Sequence, residues 1–186
     1  MWKQTLFEVT CIVGRACIAV GCDLGLVNFG FSIIHYSATK QKVLHRHLVV
    51  NRVTDFKERM LEQRQAFYLE IRKLLRKYKP KILVVERFMT RGRFGQAIGE
   101  CLTFMLAVLA ELCHRLKIEF KAVTSASWKN AFQRRTQKKL DNLYKYLKPL
   151  PPHIVDSVLQ ATYGLDPTYQ HWSINYLKKA KETWQN

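Results

Sequence analysis

Residues 19–34, AVGCDLGLVNFGFSII, and residues 82–86, ILVVE, decide the fold. In each, an apolar, β-prone run stops at a carboxylate, Asp23 in the first and Glu86 in the second. The chain does not enter a helix after Asp23. Gly25 and Asn28 are turn formers, and FGFSIIHY (29–36) then reads as a second strand. KVLHRHLVV (42–50) reads as a third, joined to the second by a short polar turn, so a hairpin is expected. With CIAVGC (17–22), this makes three consecutive strands.

A long helix follows. Phe56, Met60, Gln63, Phe67, Ile71, Leu74 and Tyr78 are spaced 4, 3, 4, 4, 3 and 4 apart, a one-face stripe. Thr54 or Asp55 caps its start and Pro80 ends it. Its many Lys and Arg residues read as a solvated face. The run ILVVE reads as a buried strand, and strand, helix and strand in succession imply a parallel crossover. RFMTRGRFG (87–95) is a basic loop whose glycines allow close backbone approach to phosphates through Arg91 and Arg93. Residues 96–116 form a helix that is nearly apolar from Cys101 to Cys113, the mark of a central or interfacial helix. IEFKAV (118–123) is a fifth strand. The region 124–148 is basic and helical, with Lys129, Arg134, Arg135, Lys138, Lys139, Lys145 and Lys148 against Asp141. Pro149, Pro151 and Pro152 break it, and an amphipathic helix is expected over about 153–163. The order β-β-β-α-β-α-β-α predicts an α/β, RNase H-like fold. Its five-stranded mixed sheet has three antiparallel strands, then parallel additions, and is flanked by helices. A doubly wound sheet would need a glycine-rich turn into a helix after the first strand.

Charge narrows the partner. Lys plus Arg number 31 and Asp plus Glu 14, a net +17 in 186 residues. The hydrophobic share of 48% excludes a disordered basic tail. Such a field points to a polyanion, nucleic acid first and an anionic membrane surface second. The second lacks a basic amphipathic helix with a Trp-rich face, and no apolar run reaches bilayer length, so no membrane is expected. The cysteines, Cys11, Cys17, Cys22, Cys101 and Cys113, are odd in number and show no C-x-x-C spacing. They read as reduced core residues of an intracellular protein without a zinc site. Residues 1–15 carry no secretory pattern, and an organelle address is left open.

Three acids keep apolar company: Asp23, Glu86, and Asp156 in HIVDSVL. An ionised carboxylate against a core is costly unless paired or bound to metal. If the first and fourth strands are parallel neighbours, Asp23 and Glu86 emerge at one sheet end. Asp156 can reach them from the last helix, with His153 three residues earlier on the same face. Hard oxygen ligands of this kind suit Mg²⁺ or Mn²⁺, and two ions ~4 Å apart serve phosphodiester hydrolysis. Taken singly, Asp23 could cap a turn, Glu86 pair with Arg87 or Arg91, and Asp156 pair with a lysine.

With these residues in place, the sequence resembles the RuvC-type Holliday-junction resolvases of the RNase H-like superfamily. The motifs are AVGCDLGLVNFGFSII, ILVVERFM and HIVDSVLQATYG, over most of residues 18–164. The family's Asp-Pro-Gly is Asp23-Leu24-Gly25 here, without the proline. The resemblance implies a 16–164 nuclease domain between an N-terminal extension (1–15) and a basic, Trp-containing tail (165–186). It also implies a homodimer, paired through helix 96–116, that nicks four-way DNA junctions symmetrically. Asp23, Glu86, His153 and Asp156 carry over as metal-site residues, and Lys129 as the basic residue near the scissile phosphate. Lys138 or Lys139 matches a second. Phe88 or Met89 stands where the family places an aromatic wedge, and Arg134 and Arg135 join the DNA-binding surface. The residues leave two other readings open: an RNase H-fold nuclease for forks, flaps or RNA–DNA hybrids, and a non-catalytic nucleic-acid-binding module.

Overall fold

The computed structural model of the chain describes residues 17–25, 28–36, 41–50, 58, 66–87, 96–136, 139–148, 150–165, 174, 175, 177, 178 and 181, with the main chain alone for 41–50, 66, 67, 96, 97 and 135. Strands β1 (Cys17–Asp23), β2 (Asn28–Tyr36) and β3 (Gln41–Val50) come first. A π-helical segment (Ala66–Ile71) runs into α1 (Arg72–Tyr78), and β4 (Ile82–Arg87) follows. Then come α2 (Gln96–Leu116), β5 (Glu119–Thr124), α3 (Ser125–Thr136), α4 (Leu140–Leu147) and α5 (Pro152–Leu165). The sheet order is β3-β2-β1-β4-β5. Pairing is antiparallel from β3 through β2 to β1, and parallel from β1 through β4 to β5. The result is a mixed sheet flanked by helices.

Period-two alternation sorts each strand between two cores. Val20, Cys22, Leu83 and Val85 pack with Ile71 and Leu75 of the α1 region and with Leu102, Met105 and Leu109 of α2. Ala19, Ile82 and Val84 turn the other way, toward Trp128, Phe132, Leu143, Leu147, Val155 and Val158 of α3, α4 and α5. Both faces of β1 and β4 are covered, which is why ILVV is apolar throughout. Ile174 and Leu177 join the second core, so the chain beyond Leu165 contributes to it.

Two expectations need correction. The final helix is not amphipathic, because every residue from Ile154 to Thr162 is buried. Two of its hydroxyls are satisfied by carbonyls of the helix itself, while Gln160 Oε1 is buried with no hydrogen-bond partner among the described residues. Thr162 Oγ1 donates to Leu159 O at 2.8 Å and Ser157 Oγ to Ile154 O at 3.0 Å. In the helix ending at Tyr78, the deepest residue is Leu75, not Leu74. The π-helical segment adds residues to the turn and shifts the stripe by one position. The part of that helix expected to start at Thr54 or Asp55 lies outside the described residues, apart from Glu58, which is helical. The basic region 124–148 is two helices, parted where Lys139 takes an extended conformation (φ −76°, ψ 130°). Cys17, Cys22, Cys101 and Cys113 are buried free thiols, and Cys11 lies outside the described residues.

Helix α5 lies on β1 and β2 at backbone contact. A Cβ on Gly21 would sit 1.8 Å from Ser157 O, and one on Gly30 2.0 Å from His153 O. Between them, Ser32 and Ser157 share a buried hydroxyl–hydroxyl hydrogen bond of 2.6 Å. Replacing Ser157 with Ala orphans the buried Ser32 hydroxyl, an expected cost of about 1–3 kcal/mol. Removing both hydroxyls costs less than the sum of the single changes, which a double-mutant cycle in urea measures.

Candidate active site

The carboxylates arrive from separate elements. Cys22 and Val85 are the last paired residues of the parallel β1–β4 ladder, so Asp23 and Glu86 follow side by side at one sheet end. By alternation they sit on the α5 side. Pro152 opens α5, where its fixed φ suits the first helical turn and its missing N–H costs nothing. That start places His153 and Asp156 at the helix end nearest the strands' carboxylates. His153 Nδ1 lies 2.5 Å from Asp23 Oδ2. Helix α3 follows β5 without a loop. Ser127 N–H donates to Thr124 Oγ1 at 3.2 Å, an N-cap bond that fixes its first turn. This turn brings in Trp128, fully buried, and Lys129, half-buried.

Each acid is turned to a donor of the protein. Trp128 Nε1 donates to Glu86 Oε2 at 2.7 Å, and Gln160 Nε2 donates to the same oxygen at 3.4 Å. Tyr144 of α4 donates its phenolic hydrogen to Asp156 Oδ1. Lys129 Nζ stands 4.0 Å from Asp156 Oδ2. The potential at this point is strongly negative. Burial first, then the charge of Asp23, pushes the Asp156 carboxyl up to about 7, against the opposing pull of Tyr144 and Lys129. The hydrogen bond to Asp23 raises His153, outweighing the opposing effect of its burial. Burial, then the charge of Asp156, drives the Tyr144 hydroxyl far upward, so it remains a donor.

Among the described residues, no three His, Cys, Asp or Glu side chains stand arranged to hold a metal ion. The chemistry of the set nevertheless fits a hard divalent cation: three carboxylates and an imidazole with more negative charge than Lys129 offsets. Burial and the neighbouring carboxylates disfavour the charged form of Asp156, a cost that a bound cation would relieve.

Asp23, Glu86, His153 and Asp156 therefore share one end of the sheet, with Lys129 beside them. Arg134 and Lys139 are exposed on the basic helical pair. Phe88, Met89, Arg91, Arg93 and Lys138 lie outside the described residues, as does the side chain of Arg135. Sequence reading missed Trp128, Tyr144 and Gln160. Gln160 had a signal, four residues after Asp156 on one helical face and among apolar neighbours. The two aromatics read as ordinary core.

Thermus thermophilus RuvC, solved in complex with a Holliday junction substrate, superposes with a TM-score of 0.60 over 86% of this chain and 96% of that one, at 15% identity. The chain shares the fold of RuvC. A second structure of Thermus thermophilus RuvC gives a TM-score of 0.59 at the same identity and coverage. No protein-family model matches the chain, and no curated protein matches it. The likeness to RuvC is thus one of architecture. No helix among the described residues is long and apolar enough to cross a membrane.

Proposed function

We propose that the chain is a divalent-metal-dependent endonuclease that resolves four-way DNA junctions by paired symmetric nicks as a homodimer. The observation that carries this reading is the gathering of Asp23, Glu86 and Asp156 from three elements at one sheet end of a chain with net charge +17. Acids gathered and buried together disfavour one another's charge, a cost that suits a site built for hydrolysis.

Asp23, Glu86, Asp156 and His153 are the residues that would hold Mg²⁺ or Mn²⁺, one ion or two. A metal held there would supply an activated water and offset charge on the leaving oxygen. Asp23 fixes the His153 ring through Nδ1, which leaves Nε2 for ligation or for a proton. Lys129 offsets charge that develops on the scissile phosphate. The exposed Arg134 and Lys139 bind backbone phosphate, with steep salt dependence. For the dimer, α2 offers an outer face with Ile98 and Phe104 exposed at 42% and 45%. Phe104 also lines a groove between α2 and the π-helical segment with α1, where Tyr68 and Val108 stand among the charged Arg72, Arg76, Glu111 and Arg115. Activity of this kind belongs in the compartment where DNA is recombined.

The test offers a four-way junction and a linear duplex of the same sequence, with Mg²⁺ and with chelator. Fork, flap and RNA–DNA hybrid substrates run alongside. Paired nicks on the junction, lost in chelator, are the expected result. Equal cutting of duplex and junction defeats the structure selectivity. Tight junction binding with no cutting under any metal defeats the enzyme.

A further inference from the structure

We propose that Tyr144 and Trp128 are positioning residues of this site, the phenol orienting Asp156 and the indole orienting Glu86 to receive a divalent cation. The inference rests on the nuclease reading and adds two residues that the resemblance did not supply.

The chemistry of the donors carries it. An N–H of indole and an O–H of phenol each direct one carboxylate oxygen without cancelling its charge. A Lys or Arg at either place would neutralise the acid and compete with an incoming cation. Here the cationic Lys129 stays at 4.0 Å from Asp156, while the neutral donors make the direct bonds. Each donor takes one oxygen of its acid, Glu86 Oε2 and Asp156 Oδ1.

Both donors are also held from behind. Trp128 has 0% of its surface exposed, on a helix whose start is fixed by Thr124. Leu140, Leu143 and Leu147 of α4 share a core with Ile174 and Leu177, and Lys181 Nζ donates to Tyr146 O at 2.6 Å. Ile174, Leu177 and Lys181 thereby brace the helix that presents Tyr144. Supporting bonds of this kind change metal affinity by about 10–100-fold when removed.

The test is calorimetric titration of the full chain with Mn²⁺, without DNA. Tyr144→Phe keeps the ring and removes only the donor. Its Kd for Mn²⁺ is expected to rise about 10–100-fold, with the melting temperature in chelator close to wild type. The electron paramagnetic resonance spectrum of bound Mn²⁺ should change as well. Trp128→Phe is expected to weaken Mn²⁺ in the same direction, its fold checked by circular dichroism. Tyr146→Phe, an exposed tyrosine on the same helix, should leave the Kd unchanged. If wild type binds Mn²⁺ and Tyr144→Phe matches it within about twofold, the positioning role is wrong while the nuclease reading stands. If wild type binds no Mn²⁺, both are wrong.

Discussion

In chelator at pH 8, the Asp156→Asn protein is expected to melt above wild type, while the junction cleavage proposed for this chain in Mg²⁺ is expected to fall by about 10³-fold, the scale set by losing one charge-stabilising group of an active site. Asn keeps an oxygen for the Tyr144 hydrogen bond and removes the buried charge. The folded-state pKa of Asp156 is about 7 against an ordinary 3.8. The folded protein therefore takes up a proton at this site more readily than the unfolded chain. The stability tied to that proton is fully present below pH 3.8 and is lost as pH rises through about 7. Above pH 7 wild type carries the whole cost of the ionised group, and the Asn variant carries none. At ~1.4 kcal/mol per unit the full shift is an upper bound, and about 1–2 kcal/mol is expected in salt. For a chain of this size that corresponds to roughly 2–8 °C. The advantage of the variant should shrink steadily toward pH 4. Melting curves at pH 4, 6 and 8 read the slope. A gain equal at all three would mean that Asn acts through packing rather than charge. Unchanged cleavage would remove Asp156 from the site altogether.

The same residue shows why the strand-borne half of the site was legible in the sequence. Asp23 and Glu86 each end an apolar run, and a common sheet end follows if those runs are parallel neighbours, a condition the β1–β4 pairing meets. Asp156 stood out because a carboxylate between Val155 and Val158 has no cheap place in a core. The two aromatic donors were not legible. Trp128 and Tyr144 look like any core aromatics, because a period of 3.6 reports that a side chain is inward and not which atom its polar tip meets. The full burial of α5 was also hidden. An amphipathic helix was expected there, yet Ser157, Gln160 and Thr162 are all buried, and Ser157 and Thr162 bond to carbonyls of their own helix. Leu75 replaced Leu74 because no residue pattern announces a π-helical turn.

The glycines of β1 and β2 were equally silent, and Gly21 supports the largest structural effect expected here. A strand glycine normally weakens a sheet. At Gly21 the missing side chain is what lets α5 touch the strand. The Cβ of Gly21→Ala would lie 1.8 Å from Ser157 O and 2.6 Å from Ala161 N. Both are main-chain atoms of a helix buried along nine residues, so neither can swing aside. The helix must lift by an ångström or more, which breaks the Ser32–Ser157 bond and opens the core beneath Val158. Overpacking of this severity is expected to cost at least ~3 kcal/mol, a fall in melting temperature of roughly 6–12 °C. The lift also carries His153 and Asp156 away from Asp23 and Glu86. A displacement of ~1 Å at reacting groups costs about 100-fold in rate, so the fraction that stays folded should cleave poorly even at low temperature. Gly164→Ala gives the contrast. Its Cβ would meet Val84 Cγ2 at 2.4 Å, a methyl of a buried β-branched side chain with little room to move, but its three nearest atoms are all side-chain rather than main-chain, and Ala favours the helix it sits in. A smaller loss of stability and near-normal cleavage are expected there. If Gly21→Ala melts and cleaves as wild type does, α5 is not held at backbone contact with β1, and the placement of half the site must be redrawn.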